Sequence, residues 1–242
     1  MNKTYNITSS DALLITDVQK DFLPGGALPV PSGDEIIPVL NEYAKFFEKA
    51  KAWVFASRDW HPPNHCSFKQ QGGPWPPHCV QNTKGAKFSA DLKLPGGTVV
   101  ISKATDPERE SYSVFDGTNF DDELRKRGVR RLFVGGLATD YCVVNTVVDA
   151  LRLGFQTVVL MDATLGINVK PGDVDRAVEQ MLKLGAEQAT TADFPDVVDT
   201  LPLGEAAADA MEDKPSARAA VKKKARMRPR GSVKRIPTER KD

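Results

Sequence analysis

The residues of this chain best suited to chemistry fall into two groups. The first is Asp59-Trp60-His61 together with His78, seventeen positions beyond His61. A carboxylate and two imidazoles are common ligands of zinc, iron or manganese. In extended chain, residues two apart point the same way, so Asp59 and His61 can face one ion. Three protein ligands leave coordination positions open for water or substrate, as a catalytic ion requires. The same spacing is compatible with a plain loop histidine, or with a structural zinc site drawing on Cys66 or Cys79.

The second group is Asp17, Lys103 and Cys142. Asp17 follows the apolar run ALLIT, Lys103 follows TVVIS, and Cys142 follows RLFVGGLATDY; Asp59 likewise follows WVFASR. Cys142 lies where strand passes into helix, with Thr139 or Asp140 as N-cap. In that first turn, free backbone amides and the positive end of the helix dipole favour a thiolate. The same amides can hold an oxyanion. A cysteine, a carboxylate base and a lysine gathered at one spot suit nucleophilic acyl transfer.

Gathering them requires a particular scaffold. Five short, continuously apolar runs read as buried strands: Ala12–Thr16, Trp53–Ser57, Thr98–Ser102, Arg131–Gly135 and Thr157–Met161, with a weaker sixth over Gln188–Thr191. Helical patterns lie between them, over Asp34–Ala50, Phe120–Arg127, Asp140–Leu153 and Val174–Leu184. Such alternation predicts an α/β fold, a parallel sheet with helices on both faces. In open sheets of this kind, ligands bind beyond the carboxyl ends of the strands. The stretch 58–94 interrupts the rhythm; it is rich in Pro and Gly and holds two tryptophans and all three histidines. A loop of that length in a compact domain points to function. Trp53 and Phe55 read as core, Asp21 as loop-fixing, Asp140 as helix-capping, Asp106 as a turn residue, and Cys66 and Cys79 as structural thiols.

The 242 residues carry a net charge of only +1, but it is unevenly spread. Residues 214–242 hold 12 basic and 2 acidic side chains, a net of +10, leaving −9 for residues 1–213. Apolar residues make up 40% of the chain, enough for a globular core. No apolar run approaches the roughly 18–20 residues of a membrane span. There is no basic segment followed by an apolar one at the N-terminus, and three cysteines do not make a disulfide framework, so a reducing, cytoplasmic setting is expected. The expected division is one catalytic domain over 1–204 and a disordered basic tail over 205–242. KKKARMRPRGSVKR could serve as a nuclear address, or touch nucleic acid or an anionic surface.

Taken together, DVQKDF (17–22), DWHPPNHCSF (59–68), WPPHCVQ (75–81), ISKATD (101–106), YSVF (112–115) and GLATDYCV (136–143) resemble the isochorismatase-like cysteine hydrolase superfamily, and within it the nicotinamidases. The resemblance implies a three-layer α/β/α sandwich with a mainly parallel, doubly wound six-stranded sheet. It implies hydrolysis of nicotinamide to nicotinate and ammonia in NAD salvage, with pyrazinamide also accepted. Asp17, Lys103 and Cys142 match the family's catalytic triad: Asp17 as base and later acid, Lys103 keeping Asp17 ionised, Cys142 forming a thioester. The Ala138 and Cys142 amides match its oxyanion hole, with a cis peptide between Leu137 and Ala138. Asp59, His61 and His78 match its metal ligands, implying one divalent ion, zinc or else iron or manganese, on the pyridine nitrogen. Phe22, Trp75 and Tyr112 match the walls of the ring pocket, and His65 supports the ligands rather than joining them. A homo-oligomer is compatible with this reading. Isochorismatases and N-carbamoyl-amidases are the alternative within the fold, but they have no need of the metal set.

Overall fold

The structure is a computed structural model and describes residues 4–194. Six strands form one sheet in the order β3-β2-β1-β4-β5-β6, and every neighbouring pair is parallel. They are β1 (Asp11–Thr16), β2 (Trp53–Asp59), β3 (Val99–Lys103), β4 (Arg131–Leu137), β5 (Gln156–Leu165) and β6 (Glu187–Ala189). The helices are α1 (Ile37–Lys49), α2 (Phe120–Lys126), α3 (Val144–Arg152) and α4 (Asp173–Lys183).

Alternation along the strands makes the layers. Leu13 and Ile15 of β1 pack with Leu40, Tyr43 and Phe47 of α1, whereas Ala12 and Leu14 pack with the other three helices, through Leu124, Val147 and Met181 among others. Both faces of the sheet are thus covered, which is why the strands read as unbroken apolar runs rather than as alternating ones. Phe194 closes the α1 side, fully buried against Tyr5, Tyr43, Phe46 and Phe133.

All six predicted strands are present, and the differences lie at their ends. Strand β5 runs to Leu165 because its pairing with β4 shifts register between Val134 and Gly136. Helix α1 starts three residues later than expected, at Ile37, with Pro38 in its first turn, a position where a missing N–H costs nothing. Trp53 departs from the core reading: it opens β2 at 37% exposure, with the Arg127 guanidinium 4.8 Å above its ring, while Phe55 is fully buried. Among the described residues no helix is long and apolar enough to cross a membrane. The predicted boundary at 204/205 and the basic tail lie outside the described residues.

Candidate functional site

Because all strands are parallel, Asp17, Asp59, Lys103 and the chain leading to Cys142 leave the sheet along one rim. Adjacent strands β1, β2 and β3 deliver the first three side by side; Asp59 and Lys103 are register partners. Asp17 turns into the left-handed region at φ +49°, immediately past the last residue of β1, with its N–H on the Ser57 carbonyl at 3.2 Å. Beyond β4 the Leu137–Ala138 peptide is cis.

The turn that carries Cys142 differs from the expected one. Residues Thr139–Val143 form a π-helical turn entered from Ala138, with no side-chain cap. The Thr139 hydroxyl instead meets that of Thr164 at 2.8 Å, and Asp140 accepts the amides of Ile167 (2.9 Å) and Asn168 (2.7 Å). Asp140 therefore fastens the loop after β5 to the cysteine turn rather than capping a helix.

Lys103 is buried at the centre. Its ammonium lies 2.5 Å from Asp59 Oδ1, 3.1 Å from Asp17 Oδ2 and 3.3 Å from Cys142 Sγ, and it donates to the Ser111 carbonyl at 3.1 Å. Asp17 Oδ1 accepts from the Ser57 hydroxyl at 2.7 Å, while Oδ2 has no aligned hydrogen-bond donor among the described residues. One cation thus serves two carboxylates and a thiol, and burial decides how the protons distribute. Burial opposes the charge on Lys103, but Asp17, Asp59 and Cys142 hold its pKa well above the ordinary value. Burial also works against the Asp59 anion, yet Lys103, His61 and His78 keep that carboxyl below its usual range. Asp17 goes the other way: burial raises it, against the pull of Lys103. Burial pushes the Cys142 thiol well above its usual value as well, outweighing Lys103, with Asp17 and Asp59 adding to the rise. The pull of the helix end and of Lys103 on Cys142, and that of Lys103 on Asp17, are thus opposed by burial, which outweighs them. Of the two carboxyls beside Lys103, Asp59 is the one whose charge the surroundings favour.

Asp59, His61 and His78 are all buried, and one ligand atom from each lies within 4.8 Å of the others. His61 Nδ1 lies 3.0 Å from the His78 carbonyl and His78 Nδ1 lies 2.8 Å from the Pro76 carbonyl. A carbonyl only accepts, so both Nδ1 atoms carry hydrogen and both Nε2 lone pairs are free. Burial, against the attraction of Asp59, pushes the His61 imidazole down to about 4, so its ring is neutral at pH 7. Phe68 packs against all three imidazoles. His65 is occupied at both nitrogens, by the Ser67 hydroxyl (2.8 Å) and the Arg109 carbonyl (3.0 Å). Cys79 is buried and Cys66 half-buried, and neither is disulfide-bonded.

Members of the two groups open onto one cavity. Cys142, Ala138, Asp59 and His78 all border it. Phe22, Trp75 and Tyr112 wall it as anticipated, and the Trp75 indole N–H donates to the Tyr112 hydroxyl at 3.0 Å. Leu28, Glu110, Tyr141 and Ile167 also line it, unannounced by the sequence. Tyr141, next to Cys142 and packed on Trp75 at 5.2 Å, could have been suspected from adjacency; the others come from loops without periodicity. Glu110 also brings its carboxylate within 4.8 Å of ring nitrogens of His61 and His65.

The isochorismatase domain family matches residues 11–193 of the chain. Over 204 residues the chain is 40% identical to the nicotinamidase of Escherichia coli K12, a match covering 76% of this chain and 96% of that one. The crystal structure of the pyrazinamidase of Pyrococcus horikoshii in complex with zinc aligns with a TM-score of 0.72 at 51% identity, covering 75% of this chain and 99% of that one. That of PnC1 from L. infantum in complex with nicotinate aligns at 0.73 and 35% identity, covering 79% and 98%.

Proposed function

The chain belongs to the isochorismatase domain family, and from that premise we propose that it is a metal-dependent amidase that hydrolyses nicotinamide to nicotinate and ammonia, a reaction of NAD salvage. The observation that carries this reading is the meeting of two chemistries in one aromatic-walled cavity. Cys142 of the acyl-transfer group lines it, with Lys103 and Asp17 behind, and so do Asp59 and His78 of the donor set that His61 completes. Pyrazinamide, another flat azine carboxamide, fits the same description.

The donor set of one carboxylate and two neutral imidazoles fits zinc, the ion bound to the pyrazinamidase of P. horikoshii. When bound there, the ion supplies a Lewis-acidic anchor for the ring nitrogen of the substrate. Phe22, Trp75 and Tyr112 hold the ring flat, so that the carboxamide carbon meets Cys142 in attacking geometry. As the thiol attacks, its proton passes to Asp17 Oδ2, the oxygen left without an aligned donor. Lys103 lies close enough to both atoms to stabilise the shifting negative charge. The Ala138 and Cys142 amides receive the carbonyl oxygen as it becomes an oxyanion. Collapse of the tetrahedral species breaks the C–N bond; Asp17 returns the proton to the departing amine, and ammonia leaves a thioester. Water, deprotonated by Asp17, then cleaves the thioester to nicotinate and regenerates the thiol.

The test is an ammonia-release assay on nicotinamide, pyrazinamide and an N-carbamoyl amine, with metal analysis of the same preparation. Nicotinamide turnover with about one divalent ion per chain is expected. Turnover of the N-carbamoyl amine alone would transfer the chain to the other hydrolases of its fold. Cys142→Ala should lower kcat by at least about 10³-fold with metal content unchanged; a variant as active as the parent would remove the thioester route.

A further inference from the structure

We propose that the turn just past β1, Gln19–Asp21, is the scaffold that sets the spacing of the Asp59–His61–His78 set, with Gln19 and Asp21 as positioning residues. The inference rests on the metal-dependent reading above. Asp17 and Phe22 of the segment DVQKDF have roles in that reading; the buried Gln19 and the part-buried Asp21 have none, and neither borders the cavity.

The Gln19 carboxamide grips both backbone groups of Asp59. Its Nε2 donates to the Asp59 carbonyl at 2.7 Å, and its Oε1 accepts the Asp59 N–H at 2.8 Å. The second Nε2 hydrogen goes to the Ala86 carbonyl at 2.9 Å. Strand β1 ends at Thr16 while β2 runs on to Asp59. Gln19 thus supplies from a side chain the pairing that a continued strand would have supplied from its backbone. All three bonds are buried, where leaving a donor or acceptor unmatched is expensive.

Asp21 acts on the two histidines through one peptide plane. Its Oδ2 accepts the Cys79 N–H at 2.7 Å, holding Cys79 at φ +46°. The opposite edge of that plane is the His78 carbonyl, which accepts from His61 Nδ1. Turning the 78–79 peptide would therefore misdirect the His61 ring and carry His78 with it. Asp21 is itself wedged: its N–H donates to the Gly85 carbonyl at 3.1 Å, and a Cβ on Gly85 would fall 2.1 Å from its carboxylate. Two side chains of one short turn thus reach all three ligands, Asp59 directly and the histidines through a shared peptide. Partners behind metal ligands typically alter metal affinity by about 10–100-fold when removed.

The experiment uses full-length chain stripped by chelator. Zn2+ affinity is measured by competition with a chromophoric chelator, and KM and kcat for nicotinamide after reloading. Gln19→Met, similar in shape but without hydrogen bonds, and Asp21→Ala should each weaken Zn2+ binding about 10–100-fold and raise KM more than they lower kcat. Asp21→Asn keeps an oxygen for the Cys79 N–H and should stay within about threefold of the parent. Far-UV circular dichroism at the assay temperature checks that the variants are folded. If Gln19→Met does not fold, Gln19→Glu keeps the acceptor for the Asp59 N–H and loses the donor to its carbonyl, and gives the same readout. Parental Zn2+ affinity and KM in a folded Gln19 variant and in Asp21→Ala would overturn the positioning role, as would an Asp21→Asn as weak as Asp21→Ala. A parent that takes up no Zn2+ would instead sink the metal-dependent reading itself.

Discussion

At the residue scale, the site is governed by what burial does to charge. His61 shows it most simply. Its ring, ordinarily titrating at 6.5, is pushed down to about 4 by burial. Between those values the unfolded chain binds more protons than the folded one, so stability is full above about pH 6.5 and drains as pH falls toward 4. The shift corresponds to roughly 3 kcal/mol for a fully buried ring. The urea midpoint of metal-free protein should fall steadily from pH 7 to pH 4.5, and the decline should be shallower in His61→Asn; parallel profiles would place the acid sensitivity elsewhere. The proposed ligand and nucleophile residues, which the structure brings to one rim, stood out in the sequence because they combine rare residue types with strand ends. Gln19 and Asp21 did not, since they act through backbone groups forty and fifty-eight positions away, and no local spacing reports that. The burial that raises the Cys142 thiol was hidden for a related reason: a helix end is visible in sequence, but the depth at which it lies is not.

At the element scale, the meeting of β1 and β4 determines whether Asp17 reaches Cys142. Thr16, the last residue of β1, and Gly136, the last but one of β4, are register partners. Gly136 sits at φ +111°, and a Cβ there would lie 2.1 Å from the Thr16 carbonyl oxygen. Gly136→Ala should therefore force the two strand ends apart, costing about 3 kcal/mol and most of the activity. A urea midpoint and kcat/KM both at parental values would show that the sheet absorbs the methyl. The strands were legible as apolar runs because each is covered on both faces. Their true ends were not: the register shift that prolongs β5 and the π-helical turn after Ala138 are tertiary features, with no signal in propensity.

At the scale of the whole molecule, every residue of the proposed chemistry lies between Asp17 and Cys142, and the basic surplus lies in residues 214–242. We propose that residues 1–204 are the catalytic unit; chain truncated after residue 204 should keep kcat/KM within about twofold of the full chain. A larger loss would assign the tail a part in catalysis. The sheet order carries a further consequence. Lys103, around which the buried charges are organised, is the last residue of β3, and β3 is an edge strand of five residues hydrogen-bonded, among the described residues, to β2 alone. Edges open at lower free energy than sheet centres. On gentle heating the lysine should reach water while β1 and β4 are still paired, so the enzyme should fall silent before it melts. A temperature ramp followed by both ammonia release and far-UV circular dichroism should show the activity curve leading; coincident curves would mean that the edge and the core give way together.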